Sequence, residues 1–472
     1  MRLKFKNNIF LFLGFALVAI LILLNRDNAF FWDTVHYASK QGSFYWYSGF
    51  TVLLPPNEID SGYIPTFGMA LALVWKIFGR TLAVSHLAML PFAIGIVYQL
   101  YRVSAKFIKP EFCGITLLLL LIDPSLMSQM TLVSPDVPLV FFFLWGINAV
   151  LEDKKWRFAL CVFALFSISM RGVMVSFALV LLDIYYNISF KDWAVIFKKL
   201  FKRSLLCWPA LLLLLSYQIY HYAQKGWIFT HKDSPWAAGG GMDLADSKRL
   251  FFNIGLIGWH ILDYGKAGIW LVFFILILKL KKQLLNKDTR MLLFLLVCLL
   301  MAVHVNMIWA KNLLSHRYFI PFTLVFSLLC AVVLFSEKVS PRLRNALVAV
   351  WLITIVSGNF WIYPEKISQG WDSTLAHLPY YGLREQTIAY IKAEKIPLSG
   401  VQSFFPNVAS FDIIDLNNDP RSFSDFDGTT PFVIISNAFN MDDAVYDRIV
   451  TQYQLVKRFE NRGVYFAIYR KP

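Results

Sequence analysis

Asp33 stands in the stretch FFWDTVHYASKQGSFYW, residues 30–46, directly after the first long apolar run and with rings on both sides. Other ionisable side chains recur at the ends of later apolar runs: Asp136 in LVSPDVPL, Arg171 in SMRGVM, and Arg317-Tyr318 in SHRYFIP. Glu58 and Asp60 lie in PPNEIDSGYIP, His231 and Asp233 in THKDSPW, and His260 with Asp263 in GWHILDYG. A carboxylate within reach of a hydroxyl can act as its base. Arginine, always charged and forked, binds phosphate oxygens through two donors. Each residue alone also has a plainer role, as an interfacial cap or a side chain reaching water from a span end. Asp136 is well suited to cap the helix that follows it. Glu58, Asp60, His231, Asp233 and His260 are ligand types that a divalent cation (Mg, Mn or Zn) could use. However, His231-Lys232-Asp233 lacks a zinc spacing and reads better as a substrate-facing polar loop.

The elements that must position these residues are membrane spans. At 57% hydrophobic, 17% aromatic and 16% charged, the composition is not that of a soluble domain. Runs near the roughly 20 residues that cross a bilayer recur along the chain. Eleven spans can be drawn, near 9–24, 82–101, 112–127, 133–151, 158–170, 172–187, 204–221, 266–280, 291–308, 318–336 and 346–362. The N-terminus resembles a signal peptide, but Leu24-Asn25-Arg26-Asp27 supplies no small-residue cleavage site, which predicts an uncleaved first span.

The connectors on one side (RLKFKNN, YRVSAKFIKPE, EDKKWR, FKDWAVIFKKLFKR, KLKKQLLNKDTR and SEKVSPRLRN) carry 22 basic residues together. By the positive-inside rule that side is the cytoplasm, where the amphipathic spacing of residues 190–203 predicts an in-plane helix. The net charge of +15 is thereby explained by topology, and nucleic acid is excluded as a partner. The outer loops 25–81 and 222–265 and the tail then share the opposite side with the candidate residues. Residues 64–79, IPTFGMALALVWKIFG, are read as a helix at the outer surface ended by Gly79, because counting them as a span would reverse the charge pattern. The five cysteines all lie in apolar runs, so no disulfide or cysteine metal site is expected. Two domains follow: a membrane domain, 1–363, and a soluble α/β domain, 364–472, with LREQTIAYIKAEKI and AVYDRIVTQY as helices and PFVIIS and VYFAIYR as strands, the last alternating. The acidic stretch DIIDLNNDPRSFSDFDG reads as a solvated loop, without the closing Glu of a calcium loop.

The succession of these features resembles the GT-C superfamily of integral-membrane glycosyltransferases. The likeness is to the bacterial protein-mannosyltransferase and aminoarabinose-transferase group. It rests on the aromatic-flanked Asp33 opening the first outer loop, the IPTFGMALALVWKIFG segment, Pro135-Asp136, Arg171-Gly172 and Arg317-Tyr318-x-x-Pro321, in that order over roughly residues 9–363. The resemblance implies a polytopic GT-C-like fold of about eleven transmembrane helices with a small α/β C-terminal periplasmic domain, in a bacterial inner membrane with the N-terminus cytoplasmic. It implies transfer of a sugar from a polyprenyl-phosphate donor to an acceptor protein, lipid or glycan on the outer face. Asp33 then matches the catalytic carboxylate and Asp136 the second acid, while Arg171, Arg317 and Tyr318 match the positions near the carrier phosphate. Thr34 stands where relatives have a second acid, and Gly62-Tyr63-Ile64-Pro65 where they have Lys-Pro-Pro-Leu, so the resemblance names no sugar. A lipid-linked glycan ligase or polymerase would share the outer-face site but rely more on loop Arg and His. A transporter or flippase would show repeats and polar, broken segments at mid-membrane, whereas the runs here are apolar there.

Overall fold

A computed structural model describes residues 2–188, 193–229, 231–233, 246–280, 286–311 and 315–472. Each of the eleven apolar segments contains a helix. In chain order the membrane part runs α1 (Arg2–Leu24), α2 (Gln41–Ser48), α3 (Thr66–Phe78), α4 (Leu82–Leu87), α5 (Leu90–Phe107) and α6 (Pro110–Leu121). It continues with α7 (Pro124–Met130), α8 (Asp136–Leu151), α9 (Lys155–Ile168), α10 (Met170–Asn187), α11 (Trp193–Ser204) and α12 (Trp208–Lys225). It closes with α13 (Ser247–Leu262), α14 (Lys266–Leu280), α15 (Lys287–Leu299), α16 (Ile320–Leu334) and α17 (Pro341–Gly358). By length and composition, four stretches among the described residues can cross a membrane, or seven if each of three bent helix pairs is one span. The stretch His316–Leu334 is 94% buried, which makes α16 the centre of the bundle.

Two bends depart from the sequence reading. The segment 112–127, expected as one span, breaks by 70° between α6 and α7. Asp123 accepts from the Ser125 and Leu126 amides at 3.0 and 3.1 Å, and Pro124 occupies the first helical position, so a new helix starts there. The stretch 222–265, expected as a loop, holds α13, which turns by 83° into α14. The turn uses Tyr264 and Gly265 at φ +52° and +78°. A Cβ at Gly265 would run into the Thr354 carbonyl of α17, so the close approach of the two helices requires glycine there. The surface helix expected at 64–79 is α3, and it ends at Gly79 with φ +94°. The in-plane helix expected at 190–203 is seen as α11; residues 189–192 and 281–285, in two of the basic connectors, lie outside the described residues.

Charges segregate to the two ends of the bundle. At one end the basic connectors hold one another: Glu152 meets Arg102, Lys106 and Arg157, and Arg203 bridges Asp153 and Asp183. The opposite end carries the loop after α1 and the starts of α8, α10 and α16.

The C-terminal sheet has the order β2-β1-β3-β5-β4, built from β1 (Val401–Ser403), β2 (Ser424–Asp425), β3 (Phe432–Ser436), β4 (Gln454–Asn461) and β5 (Val464–Arg470). β1 runs parallel to β2 and β3, and β5 is antiparallel to β3 and β4, with Ile434 opposite Ile468. The alternation expected along VYFAIYR is not seen: β5 is buried at every position but the last. Helices cover both sheet faces. Leu383 and Ile391 of α18 (Pro379–Ala393) pack with Ile434, Phe466 and Ile468 on one face. Ile449 of α20 (Asp443–Gln452) packs with Ile435, Tyr465 and Ala467 on the other. Between these helices, the short α19 (Phe411–Ile414) lies in the acidic stretch expected to be a solvated loop. That stretch is tied down at Asp412, 2.7 Å from Arg80, and at Asp415, 2.6 Å from Arg384. Ala29, Phe31 and Leu132 of the membrane part share one apolar cluster with Trp371, Tyr380 and Tyr381, which seats the sheet domain on the end bearing Asp33.

Candidate active site

Asp33 follows Trp32, whose backbone adopts φ +51°, a conformation costly for a bulky residue. Thr34 stabilises this turn: its hydroxyl donates to the Phe31 carbonyl and accepts from the Phe31 amide at 3.0 Å. A π-helical turn, Val35–Lys40, then leads into α2. Arg317, one residue beyond His316 at the head of the central helix, reaches this turn.

Every nitrogen of the Arg317 guanidinium faces a carboxylate. Nη2 donates to Asp33, Nη1 donates to Asp372, and Nε lies 3.3 Å from an Asp136 oxygen. The other Asp136 oxygen accepts from Arg171 Nη1. Arg171 in turn lies over the Tyr318 ring, 4.1 Å from its centroid, and Arg317 lies 5.3 Å from the same ring. Four side chains expected on one face from charge counting alone therefore meet, together with Tyr318. Their exposures differ in a way that matters. The side chain of Asp33 is 30% exposed, whereas Asp136 is 3% and Asp372 is 6% exposed. Asp33 alone of the three carboxylates is open to an incoming group.

The cap role expected for Asp136 is not what is found. Asp136 is the first residue of α8, its side chain caps no amide, and its carboxylate turns instead to the two arginines. The helix N-terminus still favours its negative charge. Arg171 owes its position to Gly172, where a Cβ would collide with the Leu165 carbonyl of α9; only glycine allows α10 to start so close to α9.

Asp372 escaped the sequence reading. It sits in a 3-10 turn, Trp371–Ser373, in a segment with no local feature to mark it. Its backbone carbonyl accepts from Ser128 Oγ at 2.8 Å and Gln129 Nε2 at 2.6 Å, both on the short α7. Ser315 and Ser373 hydroxyls donate to its carboxylate at 3.2 and 3.1 Å. Burial raises its pKa above the ordinary carboxylate value, against the pull of Arg317, and the nearby Asp33 and Asp136 add to the rise. Tyr37, in the π-helical turn, has its phenol pushed well above its usual pKa by burial, then by Tyr318 and Asp33, and so keeps its proton.

The remaining candidates fall elsewhere. Asp60 is fully buried against His221 (3.1 Å) and Lys225, which pins the 55–65 loop to α12. Glu58 is exposed beside it. His231 pairs with Asp233 at 3.4 Å. His260 lies 3.9 Å ring to ring from His316, which bonds Asp263 at 2.7 Å. These residues do not converge, and among the described residues no group of three or more His, Cys, Asp or Glu could hold a metal ion.

The architecture is a bundle of apolar helices with an appended α/β sheet. No family model and no curated protein sequence matches the chain. Two solved structures do: ArnT from Cupriavidus metallidurans bound to undecaprenyl phosphate, with a TM-score of 0.53 and 14% identity, and the same protein in the apo state, with 0.52 and 12%. Each match covers 97% of both chains, so the likeness includes the C-terminal sheet domain. At such identity the likeness establishes the fold.

Proposed function

We propose that this chain is an integral-membrane glycosyltransferase that moves a sugar from a polyprenyl-phosphate donor to an acceptor hydroxyl, at the outer face of the cytoplasmic membrane. The observation that carries the reading is the Asp33 carboxylate, held by a buried arginine yet the one exposed member of the carboxylate cluster. The acceptor oxygen attacks the anomeric carbon, its proton passes to Asp33, and the bond from that carbon to the phosphate oxygen breaks. The leaving polyprenyl phosphate gains charge and needs fixed cations. Arg171 suits this best: it is 17% exposed, and its ion pair with Asp136 uses a single nitrogen, which leaves donors free on the others. Arg317, whose two terminal nitrogens are bonded to Asp372 and Asp33, acts chiefly by orienting Asp33, and Asp136, paired with both arginines, by orienting them. The undecaprenyl phosphate bound to the ArnT structure supports a lipid-linked donor here.

The test is transfer from a synthetic polyprenyl-phosphate sugar by the purified protein. Asp33→Asn is expected to lose about 10²- to 10⁴-fold in turnover while still binding the donor lipid. Turnover like the parent's would remove Asp33 from the mechanism, and failure of the parent to bind any lipid-linked sugar would remove the function. Sidedness has its own check. A cysteine at exposed Glu58 should react with an impermeant thiol reagent from outside the cell; reaction from the cytoplasm alone would invert the topology.

A further inference from the structure

A cavity of about 380 Å³ opens between the C-terminal sheet domain and the loop after α1. That volume falls within the range of small-ligand pockets. Two of its lining residues, Trp32 and Trp371, are the chain neighbours of Asp33 and Asp372, the carboxylates on the two terminal nitrogens of Arg317. No lining residue comes from α8, α10 or α16, so the cavity is separate from the Arg171–Tyr318 pair assigned above to the donor phosphate.

We infer that this cavity is the acceptor subsite and that it takes a hydroxyl-bearing sugar free of phosphate, neutral or amino-substituted. The inference rests on the glycosyltransferase reading and deepens it. Three features carry it. First, the walls combine rings with hydrogen-bonding groups: Trp32 and Trp371 line the cavity with apolar ring surface of the kind that packs on pyranose C–H faces, and Asn440 adds an exposed amide. Second, the charged lining is acidic, with Glu365, Asp442 and Asp443 against Lys366, and Lys366 is itself 2.8 Å from Asp447. Tyr446 donates to Glu365 and holds it in place. Carboxylates accept charge-assisted bonds from sugar hydroxyls or an amino group, and they repel a phosphate. Third, the Trp32 indole N–H is buried without a hydrogen-bond partner, and a donor in that state is matched when a hydroxyl oxygen arrives.

The experiment uses the full-length protein in detergent with no donor lipid, and reads binding of glucosamine, N-acetylglucosamine and glucosamine 6-phosphate by saturation-transfer NMR. The two unphosphorylated sugars are expected to bind, and the phosphorylated one about tenfold or more weakly. Asp442→Asn combined with Asp443→Asn, both exposed and distant from the core, should weaken amino-sugar binding and narrow that discrimination. Trp32→Phe, which keeps a ring and removes the N–H, should weaken all three. Equal or tighter binding of the phosphorylated probe, binding of none of the three, or unchanged affinities in the double variant would each overturn the proposal. Because no donor is present, these outcomes are independent of the Asp33→Asn transfer assay. Blocked lipid transfer with intact sugar binding would count against the function alone, and the converse against the pocket alone.

Discussion

Arg317 gathers carboxylates from three places in the chain, and its removal would leave them clustered in a poorly hydrated site with only Arg171 nearby. Breaking one side of a buried ion-pair cluster costs about 3–5 kcal/mol. Arg317→Ala is therefore expected to lower the melting temperature sharply as well as abolish transfer. Adding Asp372→Asn should recover part of the stability, because one uncompensated charge goes with it. Melting of Arg317→Ala at the parent's temperature would mean that the cluster does not form. Protonation adds a second prediction at this scale. His36 and His377 are each pushed down to about 4 from 6.5, chiefly by burial. Between those values the unfolded chain binds more protons than the folded one, so stability falls as the pH drops through that window. Asp372 works in the opposite sense: its raised pKa keeps a proton on the folded state that the unfolded chain has released, and its contribution falls as pH rises from the ordinary carboxylate value. His377→Gln should flatten the acid loss by up to about 3 kcal/mol, read as melting temperature against pH. A slope equal to the parent's would count against a buried neutral His377.

At the scale of elements, the short α7 and the start of α10 do most of the positioning. The α7 helix exists because Asp123 and Pro124 end α6 and restart the chain at 70°, which turns Ser128 and Gln129 toward the Asp372 carbonyl. Pro124 was visible in the sequence, but its flanks were apolar enough to read as one continuous span. The α9–α10 turn depends on Gly172 in the same way. Gly172→Ala forces α10 away from the Leu165 carbonyl, an overpacking effect of about 1–3 kcal/mol. It should reduce donor-lipid affinity through Arg171 and lower the melting temperature together. A variant that keeps both would show that the helices do not approach as closely as described. The apolar period of the helices made them legible, since helix burial repeats locally along the chain. The strand β5 was found but its alternation was not, because covering of both faces is a property of neighbours, α18 and α20, rather than of the strand.

Across the whole molecule, the sheet domain is part of the proposed site. It supplies Asp372 to Arg317 and most of the sugar-sized cavity, and it covers Ala29, Phe31 and Leu132. A chain ending at residue 363 is expected to insert in the membrane yet show no transfer, with apolar surface exposed around Phe31. Transfer by the truncated chain at parental rate would confine the active site to the helices.

Composition, apolar run length and the placement of basic connectors determined by themselves that the chain is a helical membrane protein with its unusual acids and arginines on one face. Those properties are local: each span's burial and each connector's charge follow from residues close together in sequence. The partners of Arg317 are another matter. Asp33 lies 284 positions away, Asp372 lies 55 positions away in a separate domain, and only packing of the bundle and docking of the sheet bring them together. The same packing drew Asp60 to His221 and His260 to His316, so these candidate ligands form no common site. Charge pairing over such separations depends on three-dimensional proximity, and that was decided by the tertiary structure.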